Sequence, residues 1–294
     1  MERDILFSII IPTYNRADFI AKSIGSVLAQ TYRHFELIII DDGSTDNTAD
    51  IVAPYLNETV MYKKFANGER GAARNRGVEL AKGDYITFLD SDDLYYPNYL
   101  SNANQVLNEM QRPPFFHQGY EIKNIQNGKI ELTMVVPDNQ CELLVEGNPL
   151  SCMGVLVKSE IIKANGFIED RELAGSEDWE LWVRLAAQYG LRTSQTITGA
   201  LLIHDKRSVF HFDENKLLSR KNISLHSILN NAHVQSRFKG KAKKFNAYFD
   251  AYIAIHLAIS NKKKEARNYL WKIIKEYPAF VFDVKFLGLL KNIF

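Results

Sequence analysis

Cysteine is scarce. Only Cys141 and Cys152 occur in 294 residues, and neither belongs to a Cys-x-x-Cys pair or a Cys/His cluster. That composition excludes a disulfide framework and a structural zinc site, and leads us to expect reduced thiols in a cytoplasmic setting. Both cysteines read as small core side chains. Long apolar runs are missing too: none approaches the ~20 residues needed to span a bilayer. The charged opening Met-Glu-Arg-Asp leads straight into "ILFSIII" (5–11), which does not fit a signal peptide. Neither phosphate-binding glycine pattern is present. The glycines of "ANGERGAARNRG" (66–77) stand at 68, 71 and 77, and no G-x-x-x-x-G-K-[ST] exists. If the fold binds a nucleotide, something other than a glycine cradle must hold the phosphates.

What is there is an ordinary globular composition, 46% hydrophobic and 24% charged, long enough for one large domain or a domain with an appendage. The net charge of +1 conceals an asymmetry. Residues 215–294 hold 16 Lys+Arg against 4 Asp+Glu, whereas 1–214 hold 20 against 31. An acidic body and a basic tail suggest two jobs.

The first hundred residues alternate. Apolar runs at 6–11, 35–40, 60–65 and 84–89 read as strands, and 17–29, 46–56, 70–82 and 98–110 carry helical spacing. Near-continuous apolar strands between helices predict an α/β, mostly parallel sheet with helices on both faces. Residues 114–157 mix strand-like pieces with a turn at Gln126-Asn127-Gly128 and a short helix near 139–146, and 177–190 form an amphipathic helix. Beyond 214 the pattern is helical to the end. We therefore expect a body over 1–214 and a basic helical region over 215–294.

Chemistry gathers at predicted strand ends, where open α/β sheets place ligands. "DYITFLDSDDLYYP" (84–97) sets Asp90, Asp92 and Asp93 within four positions. One such Asp is commonly a turn or cap residue, but three repel one another and call for a cation. All-oxygen ligands of this kind suit Mg²⁺ or Mn²⁺. Pro12-Thr13-Tyr14-Asn15 ends the first strand. Proline reads as a strand stop and Asn15 as a cap for the next helix, which leaves Tyr14 to stack on a base. Asp41 and Asp42 end the second strand, in excess of what the capping Ser44-Thr45-Asp46 needs, and a carboxylate there can accept a pyrimidine N–H. Arg70 and Arg74 open a helix against its dipole, which favours a phosphate or the acidic cluster as partner over a merely solvated face. Glu177 and Asp178 follow the flexible Gly175-Ser176. Beyond complementing the helix dipole, one of them is a candidate general base. His204 ends a strand-like run before Asp205-Lys206-Arg207-Ser208, groups suited to a diphosphate and its metal, while His211 reads as structural.

Together these pieces resemble the family 2 inverting glycosyltransferases of the GT-A fold, of the kind found in bacterial polysaccharide biosynthesis. The resemblance covers about residues 5–210. It rests on "SIIIPTYNRADFIAKSIGSVLAQTYRHFELIIIDDGSTDNT", "GAARNRGVELAKGDYITFLDSDD", "GSEDWELWVRL" and "LIHDKRSV" in that order. It implies a GT-A nucleotide-sugar-binding and catalytic domain over 1–214. Within it Tyr14 and Asp42 contact uracil and Pro12-Thr13 supplies backbone. Asp90-Ser91-Asp92 is the DXD motif, with Asp90 facing the ribose and Asp92 the metal. Arg74 faces the nucleotide or diphosphate, His204 sits by the metal, and Asp178 is the catalytic base. A divalent cofactor (Mn²⁺ or Mg²⁺), a UDP-sugar donor and a saccharide or lipid-linked acceptor follow from the same resemblance.

Two rivals stand beside it. An Asp-x-Asp phosphatase with Asp90 as nucleophile would want Thr or Val where Leu94 stands, and leaves Tyr14 and Asp42 idle. A non-catalytic nucleotide-sugar-binding module would have lost Asp92 or Asp178, and both are present. The tail has two readings. Its apolar stripe packs as a structural appendage, or residues 239–294 form a basic amphipathic surface in peripheral contact with the inner membrane face. Nucleic acid is not expected as a partner.

Overall fold

The computed structural model describes residues 4–204 and 213–294. The elements run β1 (Phe7–Thr13), α1 (Ile20–Leu28), β2 (Phe35–Asp41), α2 (Thr48–Val52), β3 (Val60–Lys64), α3 (Glu69–Leu80), β4 (Tyr85–Phe88), β5 (Leu94–Tyr95) and α4 (Tyr99–Glu109). They continue through β6 (Phe115–Asn124), β7 (Ile130–Met134), β8 (Val155–Lys158), α5 (Ser159–Asn165), α6 (Glu177–Tyr189) and β9 (Arg192–Ile203). The chain closes with α7 (Glu214–Asn230), α8 (Ala232–Arg237), α9 (Ala242–Ile259), α10 (Lys263–Glu276) and α11 (Val284–Ile293).

Residue clustering divides the chain into two compact units. The first takes in Met1–Gln140, Pro149–Arg171 and Tyr189–Asp205. The second takes in Cys141–Asn148, Glu172–Gln188 and Lys206–Phe294. Residues 141–148 and 172–188 group with the tail, so these units do not follow a division into 1–214 and 215–294.

The first unit is built on one sheet of order β3-β2-β1-β4-β8-β6-β9-β5, with β7 on β6. β1 to β4 are parallel, as the alternation predicts. Beyond β4 the sheet is mixed: β8 runs antiparallel to β4 and to β6, while β9 runs parallel to β6. β1 is buried along its whole length because both its faces are covered. Phe7, Ile9 and Ile11 join Leu37 and Ile39 in a core with Ile20, Ile24 and Val27 of α1 and Leu100, Ala103 and Leu107 of α4. Ile10 faces the other way, onto α3, where a Cβ at Gly77 would lie 2.5 Å from its Cγ2. Gly71 is equally confined, since a Cβ there would lie 2.7 Å from the Ile168 carbonyl oxygen. These glycines bring α3 close to its neighbours.

Pro12 does not stop β1. The strand continues to Thr13, with Pro12 opposite Ile40. The Ile10 carbonyl accepts the Leu89 N–H at 2.9 Å, so by alternation the imide nitrogen of Pro12 turns to the β4 side. β4 ends at Phe88, so the proline stands where pairing with that strand ceases.

The second unit gathers the helical tail, α6 and a 3-10 turn at Cys141–Glu146. α9 is its centre, with Phe245, Phe249, Ile253 and Leu257 buried. Trp179 of α6 meets Phe245 and Phe249 edge-on at 6.1 and 5.5 Å, and its indole N–H donates to the Leu144 carbonyl at 2.9 Å. Two buried charges are paired within the unit: Lys221 with Asp250 at 2.5 Å, and Glu180 with Arg184 at 2.6 Å. The contacts of Trp179 with Phe245 and Phe249 join α6 to the tail.

Candidate active site

In the first unit, the carboxyl ends of β1, β2 and β4 bring most of the sequence candidates to one edge of the sheet. The acidic run after β4 folds as a tight turn in which the Asp93 N–H donates to the Asp90 carbonyl at 3.0 Å. The turn sends its three carboxylates to different cations and donors, which removes their mutual repulsion. Asp90 Oδ1 takes the Arg74 guanidinium at 2.9 Å; Arg74 is only 2% exposed and its guanidinium also lies over the Phe167 ring. Of the alternatives open for Arg74, the acidic cluster is the partner found. Asp92, buried to 8% exposure, meets His204 Nε2 at 3.1 Å and Arg16 Nε at 3.6 Å through the same Oδ2. Asp93 turns inward, and its Oδ1 accepts the Leu202 N–H of β9 at 2.9 Å, so it is a strand tie and not a helix cap. Ser91 is buried in the turn.

His204 is positioned by its neighbours. Its ring stacks on Phe19 at 4.3 Å between centroids, Nε2 faces Asp92, and Nδ1 is buried with no hydrogen-bond partner among the described residues. Among the described residues no group of three or more His, Cys, Asp or Glu side chains converges as a ready-made metal site. Residues 205–208 and His211 lie outside the described residues.

At the end of β1, Thr13 is buried and its carbonyl accepts the Asp42 N–H at 2.8 Å, while Tyr14 is 48% exposed. Asn15 adopts a left-handed φ of 50° and does not cap α1. Its Oδ1 accepts the Thr45 N–H at 2.7 Å and its own N–H donates to Ser44 Oγ at 2.8 Å, which binds the two strand-end loops together. Asp41 fixes the same loop, accepting from Ser44 N–H at 2.6 Å and from the Tyr62 hydroxyl at 2.5 Å.

Asp42 carries a duty that the sequence does not announce. Oδ1 accepts the Gly68 N–H at 2.7 Å and Arg76 at 3.2 Å; Oδ2 accepts the Glu69 N–H and Asn67 Nδ2, both at 2.9 Å. It thus caps the amino terminus of α3 and holds Glu69 at a positive φ of 69°. Burial pushes its carboxyl above the usual range, against the pull of those N–H groups and Arg76.

In the second unit, a cavity of about 160 Å³ is lined by Asp178, Asn148, Trp179, Tyr248, Phe249 and Tyr252, among others. Asp178 Oδ2 accepts from Asn148 Nδ2 at 3.0 Å and Oδ1 accepts the Trp179 N–H at 2.7 Å. Glu177 differs from it: the side chain is buried and folds back onto the Gly175 N–H at 2.5 Å. Gly175 has φ of 97°, and a Cβ there would press on the Arg220 guanidinium at 3.2 Å, so this entry to α6 requires glycine. Burial raises the Tyr252 hydroxyl pKa despite nearby Arg220, with Asp178 adding to the rise.

Comparison with known proteins decides the family. The Glycosyl transferase family 2 profile matches residues 8–133. The Escherichia coli UDP-Glc:alpha-D-GlcNAc-diphosphoundecaprenol beta-1,3-glucosyltransferase WfgD is 32% identical over 185 residues, which cover 62% of this chain and 70% of WfgD. The chain belongs to glycosyl transferase family 2. An uncharacterized glycosyltransferase of Rickettsia typhi is 32% identical over 213 residues, covering 69% of this family 2 chain and 65% of the relative. Relatives from Rickettsia felis and Rickettsia bellii are longer, and the matched segments span 31% and 27% of them.

Solved structures support the GT-A fold. Staphylococcus aureus TarS 1–349 in complex with UDP-GlcNAc matches at a TM-score of 0.64 and 16% identity, covering 92% of this chain and 91% of that one. The Pyrobaculum calidifontis mannosyltransferase PcManGT in complex with GDP-Man and Mn²⁺ matches at 0.62 and 15% identity, covering 99% and 84%.

Proposed function

We propose that this family 2 glycosyltransferase moves a sugar, with inversion, from a UDP-sugar to a hydroxyl of a saccharide or lipid-linked acceptor, and that it requires a divalent cation. The observation that carries the reading is the buried Asp92–His204 pair, 3.1 Å apart, beside the outward-facing Asp90 on the same turn. The donor set fits Mn²⁺ or Mg²⁺. It offers two carboxylates and an imidazole whose remaining ring nitrogen is buried without a partner among the described residues, and such ions complete their shell with diphosphate and water oxygens. Asp92 and His204 would hold the ion, with Asp90 beside it. When bound, it supplies positive charge against the departing diphosphate.

The chain's own groups do the rest. Tyr14 offers an exposed ring to the base, and the Pro12-Thr13 backbone and Ser91 line the nucleotide. Asp42 orders the loop that includes Asn67 and Glu69, and would reach the uracil N–H by exchanging one of its present donors. Arg74 keeps Asp90 turned outward toward the ribose. Asp178 takes the proton of the acceptor hydroxyl from the aromatic cavity. The acceptor oxygen bonds to the anomeric carbon as the bond to the β-phosphate oxygen breaks, and UDP leaves. That single displacement inverts the configuration. Uridine is favoured because UDP appears in the name of WfgD and in the TarS complex, while PcManGT makes GDP the alternative to exclude.

The test is calorimetric titration of UDP, GDP and ADP with Mn²⁺ and then with EDTA, on the native chain and on Asp92→Asn and His204→Ala. UDP binding that needs Mn²⁺ and weakens about tenfold or more in both variants is expected, the cost of one lost charged partner. Metal-independent binding, or tighter GDP than UDP, would overturn it.

A further inference from the structure

Helix α11 is apolar on two opposite sides, and only one of them is used. Leu289 and Ile293, one turn apart, are fully buried in the second unit. The stripe on the far side, where a surface helix normally carries polar residues, is Val284, Leu287, Lys291 and Phe294. Its apolar members are 82%, 68% and 71% exposed, and Phe282 just before the helix is 91% exposed. Four large apolar side chains in thirteen residues thus face outward.

The neighbouring helix continues the surface with charge. On α10, Ala266, Leu270 and Ile273 are buried, and Trp271 on the opposite face is 66% exposed. Helical spacing surrounds Trp271 with Lys264, Arg267 and Lys275, at i−7, i−4 and i+4. The two faces join, because the Arg267 guanidinium lies 5.9 Å from the Phe294 ring centroid. The acids of these elements are directed elsewhere. Glu265 and Glu276 fall on the other side of α10 by the same spacing, and Asp283 accepts from the Lys285 N–H and the Tyr248 hydroxyl. The result is a surface of exposed aromatic and aliphatic groups ringed by cations.

From this juxtaposition we infer that the α10–α11 face, centred on Trp271, Phe282, Leu287 and Phe294, docks on an anionic lipid surface. Charge selects that occupant. A protein partner that only covered the apolar stripe would not need Lys264, Arg267, Lys275 and Lys291 around it, whereas a negatively charged headgroup layer takes both. Trp and Phe suit the boundary between headgroups and acyl chains, and each cation adds attraction to anionic lipid. Among the described residues no helix is long and apolar enough to cross a membrane, so this contact is with the surface. It narrows the expectation for residues 239–294 to the last two helices.

The test is co-sedimentation of the full chain with vesicles of phosphatidylcholine alone and mixed with phosphatidylglycerol, at low and high salt. We expect binding only to the anionic vesicles, weakened by salt. Leu287→Ser with Phe282→Ser should abolish it, and Arg267→Gln should weaken it about fivefold, the effect of one cation near such a surface. All three positions are exposed, so thermal melts should stay unchanged and separate loss of docking from loss of fold. No binding at low salt overturns the inference. So does binding that the substitutions leave intact, or a dimer in sedimentation that the same substitutions dissolve while vesicles remain unbound.

Discussion

Arg74 is buried at 2% exposure under Asp90, whose side chain is 36% exposed, and the two are joined at 2.9 Å. The cation sits inside and the anion outside, so the pair fixes the direction of the first carboxylate of the Asp-Ser-Asp turn. A buried pair broken at one partner commonly costs 3–5 kcal/mol, but Asp90 can turn to water, so Arg74→Met should cost about 1–2 kcal/mol. UDP affinity should fall as well, since Asp90 loses its orientation. Thermal melts and nucleotide titration of Arg74→Met check both. An unchanged affinity would make Arg74 a core residue only.

Asp178→Asn should retain UDP binding and lose transfer by about 10² or more, as expected on removing a general base. Glu177→Gln should instead loosen the start of α6, because that carboxylate holds the Gly175 N–H. Turnover and melting temperature read on both variants separate the roles. Near-normal turnover in Asp178→Asn with loss in Glu177→Gln would reverse the assignment.

Gly77→Ala tests the approach of α3 to the sheet. The new methyl would meet Ile10 Cγ2 at 2.5 Å inside the core. Overpacking of this kind costs about 1–3 kcal/mol, and urea unfolding should register it. The substitution removes no polar group, so a loss of stability would come from crowding.

His117 should make the fold acid-sensitive. Its imidazole is fully buried and burial pushes its pKa down to about 3, so it stays neutral in the folded state. An unfolded histidine takes up a proton below about 6.5, so folding stability is lost as pH falls from there toward 3. One such group contributes a loss of about 2 kcal/mol between pH 7 and 5. His256, with a pKa lowered by burial to about 4, acts in the same direction. Urea unfolding at the two pH values measures the sum, and histidine NMR should show His117 untitrated at pH 5. Titration of His117 near 6.5 would refute this account.

The sequence by itself determined β1 to β4 and the helices between them, because a buried parallel strand and an amphipathic helix each leave a local period in the chain. It also determined that Asp90, Asp92, Tyr14 and Asp42 stand at strand ends, since each directly follows an apolar run. Only the tertiary structure decided what those groups touch. Asp93 reads as a turn residue until β9 brings the Leu202 N–H to it from 109 positions away. Asp42 reads as a surplus acid until the loop before α3 closes on it. Pro12 reads as a stop until β4 proves too short to miss its N–H. α6 reads as part of the body, yet Trp179 finds its partners in α9. The apolar stripe of α11 reads either as a packing face or as a membrane-facing one, because periodicity records which side of a helix is apolar and not whether any element covers it.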